Sequence, residues 1–130
     1  MTPPVAARAS QPASLADRLK DPSLLRDRCY IDGVWGGTPS RPVTNPVNGA
    51  ELAKVPVMST AETTQAVEAA ERAFPAWAKL TAKQRSNILR KWFELIIANR
   101  EDVALILTSE QGKPLAEALG EVDIGGAYVE

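Results

Sequence analysis

Few side chains in this 130-residue sequence could carry chemistry, and their spacing mostly argues against it. Gly112-Lys113 is the nearest approach to a phosphate loop, in which backbone amides cradle a phosphate and the lysine reaches its oxygens. That loop needs a glycine five positions before Gly112, where Leu107 stands, and a Ser or Thr where Pro114 stands. The pair reads instead as a helix end followed by a solvated lysine. No G-x-G-x-x-G dinucleotide fingerprint occurs. Cys29 is the only cysteine, so neither an internal disulfide nor a cysteine-based metal site can form. A nucleophilic thiol needs a base, a cation or a helix amino-terminus to lower its pKa. Cys29 enters an expected strand beside Arg28 and is read as structural. The chain has no histidine, which removes serine–histidine and cysteine–histidine catalysis and the commonest zinc ligand. Glu101-Asp102, and Glu121 with Asp123, read as solvated faces and first-turn helix charges rather than acid/base pairs. The residues themselves therefore assign no catalytic and no cofactor-binding position.

The totals exclude further classes. A hydrophobic fraction of 45% and a charged fraction of 24% are those of a globular protein, not of a disordered chain. Fifteen basic and sixteen acidic side chains leave a net charge of −1, without the basic footprint of a nucleic-acid binder. No apolar run reaches the length of a membrane span. The lone thiol fits a reducing compartment, and the expected location is the cytoplasm. Arg8 and Arg18, with no acid before Asp17, resemble a mitochondrial presequence, but Pro3, Pro4 and Pro12 spoil its amphipathic helix.

The elements that would position these residues fall into three parts. Residues 1–22 hold four prolines and no periodic apolar pattern, and are expected to form a mobile arm. Residues 23–58 read as a β-hairpin segment. A short helical turn at Ser23–Leu25 precedes CYIDGVW, where Asp32-Gly33 is a type I′ hairpin signal. Val43 and Thr44 then lead through the turn NPVNG into the strand ELAKVPV, and Pro42, Pro46 and Pro56 exclude a helix there. Residues 59–130 read as helical. Ser59 and Glu62 form a capping box, Ala66, Val67, Ala70, Ala73 and Phe74 form an apolar stripe, and Pro75 should end or kink the helix near Phe74. Thr81 and Gln84 form the next capping box. Ile88, Leu89, Trp92, Phe93, Ile96 and Ile97 follow at helical spacing and are expected in a core. Asn99 should break that helix and cap another, with Asp102 at its third position. Gly112 suits a left-handed end, and Pro114 the first turn of a last helix through Leu115, Ala118, Leu119, Val122 and Val129. Gly125-Gly126 inside that helix costs roughly 1 kcal/mol per glycine unless another group approaches closely.

The strings TAKQRSNILRKWFELI and EQGKPLAEALGEV closely resemble the amino-terminal region of NAD(P)-dependent aldehyde dehydrogenases, among them most the succinate-semialdehyde dehydrogenase branch. YIDGVW, the TNPVNG turn and the Pro75-x-Trp77 step match that family's pattern in kind and order, and the likeness runs from about Leu25 to Glu130. The resemblance implies an α/β family fold, of which this stretch supplies an α+β piece. Short antiparallel hairpins would be followed by about four helices that flank a Rossmann-like sheet. It implies oxidation of an aldehyde to a carboxylic acid by NAD(P)⁺. A cysteine thiolate, a general-base glutamate, an asparagine of the oxyanion hole and a cofactor-binding lysine would all lie in segments after Glu130.

The resemblance therefore implies the amino-terminal part of an aldehyde dehydrogenase acting on succinate semialdehyde or a similar aldehyde. It is expected to be inactive, and to bind no cofactor, by itself. The full-length family implies an aldehyde substrate and a homo-oligomer, with no nucleic-acid or membrane partner, and the residues leave NAD and NADP open. One family site reaches into this stretch, a monovalent cation held by the Thr44 carbonyl and the Glu110 carboxylate, with a third ligand from beyond residue 130. Oxygen donors suit such a hard cation. The alternative is a non-catalytic helical interaction module, or a decayed gene fragment, whose face at Trp92 and Phe93 needs a partner.

Overall fold

A computed structural model of the chain describes residues 14–130. Two separate two-stranded ribbons stand between a short amino-terminal helical stretch and the longer helices that make up the rest. Strands β1 (Cys29–Ile31) and β2 (Val34–Gly36) pair antiparallel, Tyr30 opposite Trp35. Asp32 and Gly33 both take positive φ, 52° and 80°, as a type I′ turn requires. Strands β3 (Pro39–Thr44) and β4 (Glu51–Pro56) pair antiparallel with irregularities between Pro39 and Arg41 and between Val43 and Thr44. A two-stranded ribbon is all edge, so the prolines at 39, 42 and 56 find positions that need no donor. The intervening turn is closed by Asn45, whose side chain accepts from the Val47 N–H at 2.9 Å.

Four long helices follow. Helix α2 (Thr60–Lys79) starts at the Ser59/Glu62 capping box and α3 (Ala82–Ala98) at the Thr81/Gln84 box, both reciprocal. Of the two outcomes expected at Pro75, an end or a kink, the end does not occur: α2 runs on through Pro75 for another turn. Proline removes one donor and crowds the Glu71 carbonyl, and Glu71 is exposed, so water can satisfy that carbonyl while the ladder continues on either side. Helix α4 (Arg100–Gln111) ends at Gly112, in the left-handed region with φ 76°, and α5 (Leu115–Val129) begins after Pro114.

The core sits between the last two helices. Ala104 and Ala118 are fully buried, and these small side chains let α4 and α5 approach closely, with Val122, Ile96, Val103, Leu107 and Leu119 around them. Gly126 plays the same part against α3: a Cβ there would lie 3.4 Å from two Phe93 ring carbons. The expected core stripe of α3 is only half realised. Phe93 and Ile96 are partly covered, whereas Trp92 is 56% exposed and no α3 residue is buried. In α2 likewise only Ala69 is buried, while Val67 and Phe74 of the expected stripe are exposed.

Leu15–Arg18 forms a short helix, α1, capped by Ser14, and Leu15 and Leu19 are buried. A 3-10 turn at Pro22–Leu24 follows. Residues 1–13, including the presequence likeness around Arg8, lie outside the described residues. No helix among the described residues is long and apolar enough to cross a membrane.

Candidate functional site

The Gly112–Pro114 step is where the chain's parts converge. Left-handed backbone at Gly112 closes α4 by donating its N–H to the Thr108 carbonyl at 2.8 Å. The ring of Pro46, from the turn between β3 and β4, packs over this glycine so closely that a Cβ would lie 2.9 Å from Pro46 Cγ. Thr44 ends β3 two residues before Pro46, and Glu110 lies in the last turn of α4 two residues before Gly112. The hairpin turn and the helix end that carry the two expected cation ligands are thus seated on each other. Glu110 is exposed and enters no ion pair among the described residues. One carboxylate and one carbonyl are too few donors for a closed site, and no cluster of three metal-binding side chains occurs among the described residues.

Lys113 is not the solvated lysine that the sequence suggested. Its side chain is 19% exposed and paired with Glu121 of α5, so it bridges the α4–α5 connection instead of reaching for phosphate. Asp123 is likewise engaged: Arg100 at the start of α4 grips both of its oxygens, at 2.5 and 2.6 Å. That bidentate hydrogen bond holds the Asp123 carboxyl below the usual carboxylate range.

The largest departure from the sequence reading is at the start of α4. Asn99 stands between α3 and α4, but its side chain does not cap α4; it donates back to the Leu95 carbonyl at 2.9 Å. Asp102, expected as a solvated first-turn charge, is 5% exposed. Its two oxygens accept the backbone N–H groups of Lys20 at 3.0 Å and Asp21 at 2.8 Å. Beside it the Lys20 ammonium donates to Glu101, which holds the Glu101 carboxyl down and the Lys20 ammonium up. This constellation ties down the amino-terminal arm. Asp102 is spent on backbone donors, and Lys20 and Glu101 on each other.

Cys29 is partly buried on the wall of a cleft of about 390 Å³ between the first hairpin and α2. The cleft also presents Asp32, Glu62, Glu68 and Arg72. The guanidinium of Arg72 is committed to Asp32 at 3.1 Å, and no histidine exists to act as a base, so the site has no means of activating a thiol.

A second concavity, of about 410 Å³, is lined by Trp92, Ile96, Val103, Leu107, Val122 and Gly125, and it is apolar. Its one charged lining residue, Glu121, is paired with Lys113.

Comparison with known proteins fits that arrangement. The model of the aldehyde dehydrogenase family matches residues 35–130. The glutarate-semialdehyde dehydrogenase of Pseudomonas putida is 50% identical over 116 residues, which are 87% of this chain and 24% of that protein. The NADP⁺ succinate-semialdehyde dehydrogenase of Escherichia coli K12 is 46% identical over 116 residues, again 87% of this chain and 24% of that one. The crystal structure of a succinate-semialdehyde dehydrogenase from Burkholderia pseudomallei superposes with a TM-score of 0.81 at 50% identity, covering 85% of this chain and 23% of that one. The chain thus spans about a quarter of the length of the relatives it matches. With its family model, relatives and fold in agreement, the chain belongs to the aldehyde dehydrogenase family.

Proposed function

We propose that this chain forms the amino-terminal hairpin-and-helix part of an NAD(P)-dependent aldehyde dehydrogenase. The enzyme would oxidise succinate semialdehyde, or a similar short aldehyde ending in an acid group, to the carboxylic acid. The observation that carries this reading is 50% identity over 87% of the chain. The names of the relatives above share one chemical feature, an aldehyde with an acid group at its far end, and this supports the substrate class. Catalytic groups are assigned to polypeptide outside these 130 residues, because the single cysteine lacks an activating base and no acid is poised for proton transfer. Alone, the chain would bind no cofactor and turn over no aldehyde. The whole enzyme would be a cytoplasmic homo-oligomer.

The test uses protein captured from the source cell with an antibody raised against this chain. The captured protein should reduce NAD⁺ or NADP⁺ with succinate semialdehyde faster than with butanal, and the isolated 130-residue chain should do neither. Preference for butanal, or turnover by the isolated chain, would overturn the reading.

We also propose that the Thr44 backbone carbonyl and the Glu110 carboxylate contribute two ligands to a monovalent cation in that whole protein. The seating of Pro46 on Gly112 and the unpaired, exposed Glu110 among the described residues support this. Replacing sodium and potassium by choline should lower the Tm of the captured protein, and Glu110→Gln should abolish the difference. An unchanged cation response in that variant would sink the assignment.

A further inference from the structure

A groove of about 320 Å³ lies beside the amino-terminal arm, between the end of α1 and the amino-terminal halves of α4 and α5. Its floor is hydrocarbon. Leu105 comes from α4, Leu115 and Leu119 come from α5, and Leu115 is 46% exposed. Leu119 follows Leu115 by one turn on the same helix face, so the two form a continuous apolar strip. The volume is at the small end of ligand pockets, which run from about 300 to 1,000 Å³. The groove shares no lining residue with the Cys29 cleft or the Trp92 concavity.

Three cations stand at its rim, and two of them are spent. Lys20 donates to Glu101, and Arg100 holds both oxygens of Asp123. The Asp102 carboxylate on the same rim is buried, and each of its oxygens accepts a backbone N–H of the arm. Arg18 is different. It ends α1, is exposed, and enters no ion pair among the described residues. An unpaired surface arginine is ordinary by itself. At the mouth of an apolar groove whose other charges are already engaged, it gives the groove one positive end and a hydrocarbon body. That is complementary to a molecule with one negative end and an apolar tail. A second charge on such a molecule would have to leave water for the leucine floor, at a high cost in solvation.

We infer that this groove binds a free medium-chain monocarboxylate, with its tail along Leu105, Leu115 and Leu119 and its carboxylate on the Arg18 guanidinium. At about 30 Å³ per non-hydrogen atom, the volume a molecule takes in liquid water, the groove holds on the order of ten such atoms, the size of octanoate. A guanidinium and a carboxylate form two parallel hydrogen bonds, which fix the head. Removal of apolar area from water holds the tail. The guanidinium belongs to the arm and the leucines to α4 and α5, so a bound carboxylate would tie the arm to those helices at a second point beside Asp102. Its binding does not depend on the substrate proposed above.

The whole natural protein, captured as above, should bind one octanoate per chain in isothermal titration calorimetry, with a Kd below about 1 mM. Butanoate, with a shorter tail, should bind at least about tenfold more weakly, and octylamine, with a positive head, should not compete. Arg18→Gln should weaken octanoate binding about tenfold or more, and so should Leu115→Asp. Both positions are exposed, so the circular dichroism of these variants should match the wild type. Lys91→Gln, which removes an exposed cation of α3 outside the groove, should bind octanoate as the wild type does. Saturating octanoate should slow trypsin cleavage after Lys20 several-fold in the wild type and not in Arg18→Gln. Absence of octanoate binding at millimolar concentration would overturn the inference. So would competition by octylamine, several octanoates per chain, or undiminished affinity in Arg18→Gln or Leu115→Asp.

Discussion

The carboxylate of Asp102 accepts the backbone N–H of Asp21 at 2.8 Å across a separation of 81 residues. With the Lys20 N–H on its other oxygen, it is the point at which the amino-terminal arm is fastened to the start of α4. Position counts twice here. An anion in the first turn of a helix is favoured by the helix dipole, and the same anion satisfies two donors of a neighbouring segment. Asp102→Ala would leave both N–H groups without their acceptor, at a cost of about 2–3 kcal/mol. Denaturant unfolding should show that loss, and trypsin should cut after Arg18 and Lys20 several-fold faster in the variant. Asp102→Asn, which keeps one acceptor oxygen, should fall between the two. Equal cleavage rates would mean that the arm is held by Leu15 and Leu19 without help from the carboxylate.

Neighbouring glycines of α5 should respond in opposite ways. Gly125 has nothing within 4 Å of a would-be Cβ, so Gly125→Ala should stabilise the free chain by about 0.5–1 kcal/mol through helix propensity alone. At Gly126 a Cβ already meets Phe93 at 3.4 Å and Ile97 at 3.5 Å, so Gly126→Val should overpack the α3–α5 contact and lose about 1–3 kcal/mol. Thermal unfolding of the two variants checks both signs. A stabilising Gly126→Val would mean that α3 and α5 do not meet at this position.

At Gly112 two penalties act together. Its φ of 76° is costly for any residue with a Cβ, and that Cβ would overlap Pro46. Gly112→Ala should therefore lose at least about 1 kcal/mol, and should loosen the turn between β3 and β4 from the end of α4. Hydrogen exchange at the Gly49 amide, which is bonded to the Asn45 carbonyl at 2.8 Å, should speed up in this variant and not in Gly125→Ala.

Acid should weaken the fold in a defined window. Asp17, Asp21, Glu62, Glu101 and Asp123 all have carboxyls held below their ordinary range. The causes are hydrogen bonds from Ser14, Ser23, Ser59, Lys20 and Arg100 respectively. A folded-state pKa below the unfolded one gives stability that is present above the unfolded value and lost as protons bind to the native state. The urea midpoint should therefore be flat between about pH 5 and 7 and fall below about pH 4. Four of the groups are exposed and Glu62 is partly so, so each contribution is small and added salt should shrink those that come from ion pairs. A midpoint that rises below pH 4 would contradict these assignments.

What was legible in the sequence follows from how local the determinants are. Capping boxes at Ser59/Glu62 and Thr81/Gln84, the Asp32-Gly33 turn and the left-handed Gly112 need only residues a few positions apart, and all appear as read. Pro75 does not end α2, because one lost donor on an exposed face costs less than ending a helix whose other bonds remain. Asp102 and Lys113 were misjudged for a different reason. Their partners, the amides of Lys20 and Asp21 and the carboxylate of Glu121, are set by packing between elements and leave no periodic trace. The stripe at Ile88, Trp92 and Ile97 reads as core by its composition but is exposed, because helical spacing marks an apolar face without fixing which element packs on it.

The central claim is that catalysis by this protein needs polypeptide which these 130 residues do not contain, and the intact mass of the natural protein tests it most directly. Captured from its source cell and weighed by mass spectrometry, it should have several times the 14.0 kDa of this chain. A mass near 14.0 kDa, in a protein that still oxidises succinate semialdehyde with NAD(P)⁺, would contradict it.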